Sequence, residues 1–257
     1  MLITTAHEAD EHLATILDGS TIGFDLEGVD IPGAKLSRQQ KKLRLQQWIQ
    51  EARDGRFVID WSAVTIRLVQ IATEDGRVLV LDMLSIRALP VHLVRICEST
   101  EIIKVSAGIF SDGQRLYDSF RINLNSAVAL GLVACLAYPD DILPQQPFAD
   151  EPGLSTIVRF SLCYQLNKVM QDSRWDGPLS EEQHDYAAVD AHASLSAYLV
   201  LRSSLDTCGY VVDRHWYTFD VVNRSRRVCG QNNKSWTAKC SWWSDSADDG
   251  YRFIERR

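Results

Sequence analysis

The segment TIGFDLEGV (residues 21–29) decides the fold, because it has the pattern of a buried strand that carries two acids. Side chains alternate along a strand, so Phe24 and Leu26 point to one face and Asp25 and Glu27 to the other. Two ionised acids beside the centre of a buried strand destabilise it strongly unless a cation lies between them. The segment therefore predicts a strand that presents a pair of carboxylates to a bound cation.

A third acid stands in the segment KVSAGIFSDGQRL (residues 104–116). Ser111 followed three residues later by Gln114 is a capping-box pattern, which predicts that Asp112 lies in the first turn of a helix. Taken alone, an aspartate in this position is usually a cap or a partner of the helix dipole. Asp112 becomes informative only in combination with the other acids.

The fourth acid belongs to PLSEEQHDYAAVDA (residues 178–191). Ser180 and Gln183 form a second capping-box pattern, and the helix that they open places Tyr186 and Asp190 four residues apart. Side chains at that spacing lie one above the other on the same side of a helix. The segment predicts a tyrosine hydroxyl beside a carboxylate.

A set of carboxylates suits a hard divalent cation, Mg²⁺ or Mn²⁺. Four acids contribute a charge of roughly −4 at neutral pH, which balances two divalent ions. Two such ions can clamp the attacking and leaving oxygens of an in-line phosphoryl displacement. The acids in question are Asp25, Glu27, Asp112 and Asp190.

The order Asp-x-Glu, then Asp, then Tyr-x-x-x-Asp resembles the DEDDy branch of the DnaQ-like 3′–5′ exonucleases, the group of ribonuclease D and the Werner syndrome exonuclease. FDLEGVD (residues 24–30), KVSAGIFSDGQRLYDSFRI (104–122) and WDGPLSEEQHDYAAVDAHASLSAY (175–198) are similar to the three motifs of that family. The resemblance covers residues 20 to 205 with one interruption.

This resemblance implies an α/β fold of the ribonuclease H-like type, with a mixed five-stranded sheet and helices on both faces. It also implies that Asp25, Glu27 and Asp190 hold one metal ion. Asp25 would bridge to a second ion, which Asp112 helps to hold, and Tyr186 would orient or deprotonate the attacking water.

The assignment to the tyrosine branch depends on the position of one side chain. The sister branch uses a histidine five residues before the last aspartate, and that position is Asp185 here. His184 is one residue further away, about 100° round the helix, since each residue turns the helix by that angle. We therefore expect His184 to be a solvated surface residue and Tyr186 to be the catalytic one.

Hydrophobic periodicity predicts alternating strands and helices, which is typical of a mixed sheet covered by helices. The predicted strands are 21–29, 64–73, 77–83, 102–105 and 121–124, with a hairpin turn at residues 74–77. The predicted helices are 7–18, 89–99, one after Ser111, 126–137, 154–166 and 181–204.

Residues 30–63 interrupt the family pattern. Their periodicity predicts a helix, and seven basic residues against two acids between positions 35 and 56 give a local charge of +5, whereas the whole chain carries −7. A solvated helix face is one interpretation. The other is a basic clamp on a nucleic-acid substrate, in which Lys41, Lys42 and Arg44 contact phosphates.

Residues 206–257 form a C-terminal extension, so the predicted domains are an exonuclease domain at 1–205, which includes the insert 30–63, and an extension of unassigned role. His215, Cys229 and Cys240 match no common zinc-binding spacing. Aromatic and basic residues in the same stretch could stack single-stranded bases. Packing of the extension on the nuclease core is the simpler expectation.

The composition excludes some classes of protein. No run of 18 apolar residues predicts a membrane span, and the first residues lack the pattern of a secretory signal. Six scattered cysteines show no disulfide spacing, which is typical of an intracellular protein. Nucleus and cytoplasm both remain open.

Three functions of different classes remain. The first is a metal-dependent 3′–5′ exonuclease acting on DNA or RNA, with a single-stranded 3′ end as the expected substrate. The second is a degenerate exonuclease fold that serves as an adaptor for nucleic acid or protein, although adaptors of this type usually lose a metal-binding acid and here none is missing. The third is a two-metal endonuclease on the same fold.

Overall fold

The structure is a computed structural model, and it describes residues 1–28, 59, 61, 64–138, 151–207, 210–211, 218–220, 225–226 and 255–256. Nearly all of the basic insert, including Lys41, Lys42 and Arg44, lies outside the described residues, as does most of the C-terminal extension. The predicted domain division and the predicted basic clamp therefore stay predictions.

Strands and helices alternate through the first two thirds of the chain. The strands are β1 (Leu2–Ile3), β2 (Thr21–Gly28), β3 (Ile66–Thr73), β4 (Val78–Asp82), β5 (Ile103–Ser106), β6 (Ala127–Ala129), β7 (Tyr210–Val211), β8 (Thr218–Asp220), β9 (Ser225–Arg226) and β10 (Glu255–Arg256). The helices are α1 (Ala6–Leu13), α2 (Met83–Ile86), α3 (Val91–Glu98), α4 (Ile109–Phe120), α5 (Leu130–Ala137), α6 (Leu154–Leu162) and α7 (Glu181–Thr207).

Strand β2 lies inside a mixed eight-stranded sheet with the order β1-β4-β3-β2-β5-β6-β8-β9. It pairs antiparallel with β3 and parallel with β5. The central strands β4-β3-β2-β5-β6 form the predicted ribonuclease H-like sheet, and short strands extend it at both edges. A separate pair of strands, β7 and β10, forms a second small sheet. The predicted fold class is confirmed.

Helices cover both faces of this sheet. On one face, Phe24 and its apolar neighbours on β2 and β3 pack against α1, α3 and α4 in the larger core cluster. On the other face, β5 and β6 pack against α5, α6 and α7. Every residue of β5 and all residues of β3 except Arg67 are buried, as expected for strands that are covered on both faces. Within the described part of the chain, no helix is both long and apolar enough to cross a membrane.

The predicted strand at 121–124 is wrong. Arg121 ends α4 in the left-handed conformation, with φ of 63°, and the segment after it is extended without pairing in the sheet. Ile122 and Leu124 are buried in the core, which explains the alternating pattern that suggested a strand. The strand in this region is β6, which pairs parallel with β5, so the predicted helix 126–137 begins only at Leu130.

Candidate active site

Strand β2 carries Asp25 and Glu27 on the face that α7 covers. Their cross-strand partners on β3 are Gln70 and Leu68, and the register shifts between Glu27 and Gly28. Both acids are half-buried, whereas Phe24 and Leu26, which alternate with them, are buried in the opposite face. The predicted separation of acids and apolar side chains along this strand is therefore present.

Helix α7 reaches β2 because Gly23 has no side chain. A Cβ atom at Gly23 would lie 2.0 Å from the carbonyl oxygen of Ala191, a distance that no real side chain could occupy. The helix backbone consequently packs directly on the strand. Since Asp190 precedes Ala191, this close approach brings its carboxylate to the acids of β2.

The start of α7 fixes the position of Tyr186. The Ser180 backbone N–H donates to the Gln183 side chain at 3.0 Å, and the Gln183 backbone N–H donates to Ser180 Oγ at 3.3 Å. This is the predicted capping box. Tyr186 and Asp190 are both buried on the same side of the helix, and the Tyr186 ring packs beside Trp175 with 6.2 Å between the ring centroids.

Helix α4 carries Asp112 in its first turn, as predicted, but the predicted cap is wrong. The N-cap is Gly108, three residues before Ser111, and Ser111 Oγ donates to the Gly108 carbonyl at 2.9 Å. Gln114 donates instead to Asp118 on the next turn. Asp112 lies on the buried side of the helix, and its Oδ2 accepts a long hydrogen bond of 3.5 Å from Ser106 Oγ.

Three of the four predicted metal ligands meet closely. Carboxylate oxygens of Asp25, Glu27 and Asp190 all lie within 4.8 Å of one another. Asp112 is outside this group of three but close enough for its pKa to respond to the charges of Asp25 and Glu27. We refer to these four residues below as the acid cluster.

Burial and mutual repulsion raise the pKa values of the acid cluster. Burial, followed by the charge of Asp190, raises the pKa of Asp25 to about 7. Burial, followed by the charge of Asp25, raises the pKa of Glu27 to about 8. The pKa of Asp112 lies well above its usual range, again because of burial first and Asp25 second. Carboxylates held this close together and this far from water favour a bound cation.

Two basic side chains face the acid cluster, and sequence reasoning missed both. Lys168, in the loop before α7, donates its ammonium to both oxygens of Asp190, at 2.7 and 3.0 Å. Arg115 lies one turn after Asp112, and a Cβ on Gly28 would lie 3.0 Å from its Nη1. Both charges lower the pKa values of Asp25 and Glu27. The helical spacing from Asp112 could have indicated Arg115, but no local pattern marks Lys168.

Gln70 is a third residue of the site that the sequence patterns did not indicate. It lies directly opposite Asp25 on β3 and is wholly buried, and neither polar atom of its amide has a hydrogen-bond partner among the described atoms. Cross-strand neighbours point to the same face of a sheet. Gln70 therefore places an unsatisfied amide beside the carboxylate of Asp25.

His184 is half-buried rather than solvated, which corrects the prediction for its surroundings. It shares a side of α7 with Ala187 and Ala188, which pack in the cluster around Trp175. Asp185, the neighbour that replaces the histidine of the sister branch, is exposed.

The donor set fits a divalent metal ion. Asp25, Glu27 and Asp190 offer only carboxylate oxygens, the ligands that Mg²⁺ and Mn²⁺ prefer, and they come from two rigid elements within 4.8 Å. A cation between them would relieve the repulsion that raises their pKa values. Within the described part of the chain, these three acids could therefore hold at least one such ion.

Residues 1–206 match the model of a family described as 3′–5′ exonuclease. Over 195 residues, 74% of its length, the chain is 28% identical to the bifunctional 3′–5′ exonuclease/ATP-dependent helicase WRN of Mus musculus. That match spans 11% of the mouse protein.

Solved structures share the fold. The catalytic core of RRP6 from Trypanosoma brucei superposes with a TM-score of 0.57 at 21% identity, over 80% of this chain and 47% of the other. Escherichia coli RNase D, an exoribonuclease involved in structured RNA processing, gives a TM-score of 0.57 at 18% identity, over 81% of this chain and 46% of its own. At these identities the likeness concerns the fold.

Proposed function

The chain belongs to the 3′–5′ exonuclease family, and from this membership we propose that it hydrolyses phosphodiester bonds one by one from the 3′ end of a nucleic acid, with two divalent metal ions. The observation that carries the proposal is the meeting of Asp25, Glu27 and Asp190 within 4.8 Å. Asp112 and Tyr186 interact electrostatically with these acids, which supports including them in the proposed site.

The acid cluster would hold the ions in two overlapping sets. Asp25, Glu27 and Asp190 form the tighter set, so they would be the ligands of the first ion. Asp25 also interacts electrostatically with Asp112 across the junction of β2 and α4, which suits it to bridge to a second ion. When bound, Mg²⁺ or Mn²⁺ supplies Lewis-acid stabilisation to the attacking and leaving oxygens of phosphoryl transfer.

Tyr186 would orient the attacking water or remove its proton, and its raised pKa in the metal-free chain favours the first role. Burial first, and the charge of Asp190 second, raise the pKa of Tyr186 far above its ordinary value. A hydroxyl that keeps its proton can position a water molecule through a hydrogen bond but is a poor general base. The packing of its ring against Trp175 fixes the direction in which this hydroxyl points.

The substrate class is nucleic acid with a single-stranded 3′ end, and both DNA and RNA suit the proposal. The acid cluster suits phosphate chemistry, and carboxylates that hold metal ions do not by themselves distinguish ribose from deoxyribose. RNase D acts on RNA, and WRN combines the exonuclease with a helicase. The catalytic part would be residues 1–205, with the basic insert 30–63 contributing phosphate contacts.

The adaptor alternative is less favoured. A catalytically degenerate fold would be free to lose its acids or to fill their place with packed apolar side chains. Here the three acids converge, and their repulsion makes the site costly to maintain for structure alone. An arrangement that destabilises the fold is typical of a site kept for chemistry.

The test uses matched 5′-labelled DNA and RNA oligonucleotides, single- and double-stranded, with Mg²⁺, Mn²⁺ or EDTA. We expect a ladder that shortens by one nucleotide at a time from the 3′ end, no products in EDTA and resistance when the 3′ end is blocked. Full activity in EDTA would overturn the two-metal proposal. Cleavage of a circular single strand would instead indicate an endonuclease.

A further inference from the structure

Lys168 and Lys104 are two lysines whose ammonium groups have opposite surroundings. Lys104 is wholly buried, and its ammonium donates to the backbone carbonyls of Ile96, Ser99 and Ile102 at 2.7 to 3.0 Å. These partners are fixed and neutral, so Lys104 holds the end of α3 to β5. Lys168 instead donates to Asp190, a residue of the acid cluster, and to the Tyr186 hydroxyl at 3.4 Å.

The loop that carries Lys168 is fastened at both ends. Leu166 and Trp175 are buried on either side, and Gln183 of α7 donates to Ser173 Oγ and to the Arg174 carbonyl. The Lys168 side chain is 26% exposed, whereas that of its partner Asp190 is 7% exposed. The Lys168 side chain is therefore more accessible to solvent than the carboxylate that it contacts.

The charges of the site indicate which group Lys168 would contact once metal ions are bound. In the proposed function, two divalent ions neutralise the roughly −4 of the acid cluster. Asp190 is then shared with an ion, and an ammonium next to that ion is repelled by it. A phosphodiester group bound at the acid cluster would bring a further negative charge within reach of this ammonium. A lysine ammonium is a compact, mobile donor suited to such a contact.

We propose that Lys168 is a substrate-positioning residue, whose ammonium pairs with Asp190 in the absence of metal ions and contacts the phosphate of the 3′-terminal linkage when the ions are bound. The proposal rests on the proposed function, since it requires a phosphodiester at the acid cluster. It also predicts that Lys168 competes with metal ions for Asp190.

Two variants and one control test it. Lys168→Met keeps most of the side-chain length and removes the charge, while Lys168→Arg keeps the charge. Arg174→Met is the matched control, because Arg174 is exposed on the same loop and pairs with Asp176 rather than with the acid cluster. All three are made in the full chain, and their circular dichroism spectra and melting temperatures report whether the fold survives.

The first measurement is Mn²⁺ affinity without nucleic acid, by electron paramagnetic resonance. Lys168→Met should bind Mn²⁺ about tenfold more tightly, because a neighbouring charge alters the equilibria of a carboxylate by at least about one order of magnitude. Lys168→Arg and Arg174→Met should bind as the unmodified chain does. Unchanged or weaker Mn²⁺ binding by Lys168→Met would contradict the competition for Asp190.

The second measurement is binding of two hydrolysis-resistant oligonucleotides by fluorescence anisotropy in Mn²⁺. One carries a charged phosphorothioate at the 3′-terminal linkage, and the other carries a neutral methylphosphonate there. Lys168→Met should weaken binding of the first about tenfold, as expected for a hydrogen bond to a charged group, and should leave binding of the second unchanged. Lys168→Arg keeps the charge, so its affinities for the two oligonucleotides should differ as much as those of the unmodified chain.

The outcomes separate this proposal from the one it rests on. If the chain degrades nucleic acid but Lys168→Met binds both oligonucleotides as the unmodified chain does, the role of Lys168 is wrong and the exonuclease proposal stands. Equal weakening for both oligonucleotides would reduce Lys168 to a structural partner of Asp190. A chain that neither degrades nor binds any nucleic acid overturns both proposals.

Discussion

The two faces of strand β2 are both covered by helices, yet they are covered for different reasons. On one face Phe24 and Leu26 enter a large apolar core that α1, α3 and α4 complete. On the other face Asp25 and Glu27 meet α7 with raised pKa values, and the charge of Asp190 raises them further. The first face lowers the free energy of the fold, whereas the second raises it until a cation is bound.

This difference shows that adjacent residues of one strand can serve different purposes, one stabilising the fold and the next forming the proposed active site. Alternation along a strand gives neighbouring residues opposite surroundings, so substitutions one position apart should have opposite signatures. A change on the apolar face should cost stability and spare turnover per folded molecule. A change on the acidic face should cost turnover and spare, or even increase, stability.

The largest expected effect is that of Asp25→Asn. Losing the proposed bridging ligand removes a charge interaction worth several kcal/mol in the transition state, so kcat should fall at least about 10³-fold, each 1.36 kcal/mol being tenfold. The metal-free melting temperature should rise, because one charge of the acid cluster is gone. Single-turnover kinetics and scanning calorimetry measure the two effects. Asp172→Asn, an exposed acid outside the cluster, should change neither.

Phe24→Ala should show the opposite signature. Phe24 is wholly buried, and truncation of a buried phenylalanine costs about 3–5 kcal/mol. Urea unfolding should therefore show a lower midpoint, while kcat per folded molecule stays close to that of the unmodified chain. Phe24→Leu leaves a smaller cavity, so its urea midpoint should lie between those of Phe24→Ala and the unmodified chain. A loss of kcat in Phe24→Leu without loss of stability would break the separation of the two faces.

Tyr186→Phe should affect turnover alone. It keeps the ring that packs against Trp175 and removes the hydroxyl that would orient water, so kcat should fall about 10²-fold, the lower end for a positioned catalytic group. KM should change little, since no charge is removed. Asp185→Asn, on the same turn but exposed, is the control. Full turnover in Tyr186→Phe together with an inactive His184→Ala would contradict the assignment to the tyrosine branch.

The pH dependence of stability distinguishes the faces without any mutation. Asp25 and Glu27 have folded pKa values of about 7 and 8 against ordinary values of 3.8 and 4.5, so the folded chain binds more protons than the unfolded chain between those limits. The contribution of these two groups to the free energy of unfolding is therefore complete below about pH 4. It is lost as the pH rises through the folded pKa values of about 7 and 8. The metal-free melting temperature should fall from pH 5 to pH 8.5, less steeply in Asp25→Asn, and Mn²⁺ should reverse the fall at high pH. A metal-free melting temperature that rises over this range would contradict the raised pKa values.

Local patterns predicted the start of α7, which carries Tyr186, better than the start of α4, which carries Asp112. Ser180 and Gln183 form the predicted capping box, whereas Ser111 and Gln114 have the same spacing and form none. The difference lies in what precedes them. Pro178 disfavours a helical conformation at the residue before it, whereas Ile109 and Phe110 are apolar residues that α4 includes in its first turn. A capping pattern predicts a boundary only where the preceding residues cannot be helical.

Contacts that depend on the tertiary fold could not be predicted. Lys168 reaches Asp190 from a loop 22 residues earlier, and Gly23 admits α7 because the helix crosses the strand at that residue. Neither contact leaves a periodic trace in the sequence, since periodicity reports only which side of an element is buried. The alternation of Asp25 and Glu27 with apolar residues was predictable because a single strand determines it.

The smallest expected effect concerns the basic insert that follows β2. Replacing Lys41, Lys42 and Arg44 with Gln should weaken substrate binding and lower the slope of log affinity against log salt by about 0.7 per lost contact on single strands. Turnover at saturating substrate should change little, because uniform binding affects KM. A matched control replaces three exposed arginines on other elements, Arg87, Arg159 and Arg174, so that net charge changes equally. A smaller slope in the insert variant alone would show that the acidic face of β2 works with a basic clamp. Equal slopes in both variants would assign the effect to net charge and return the insert to a solvated helix face.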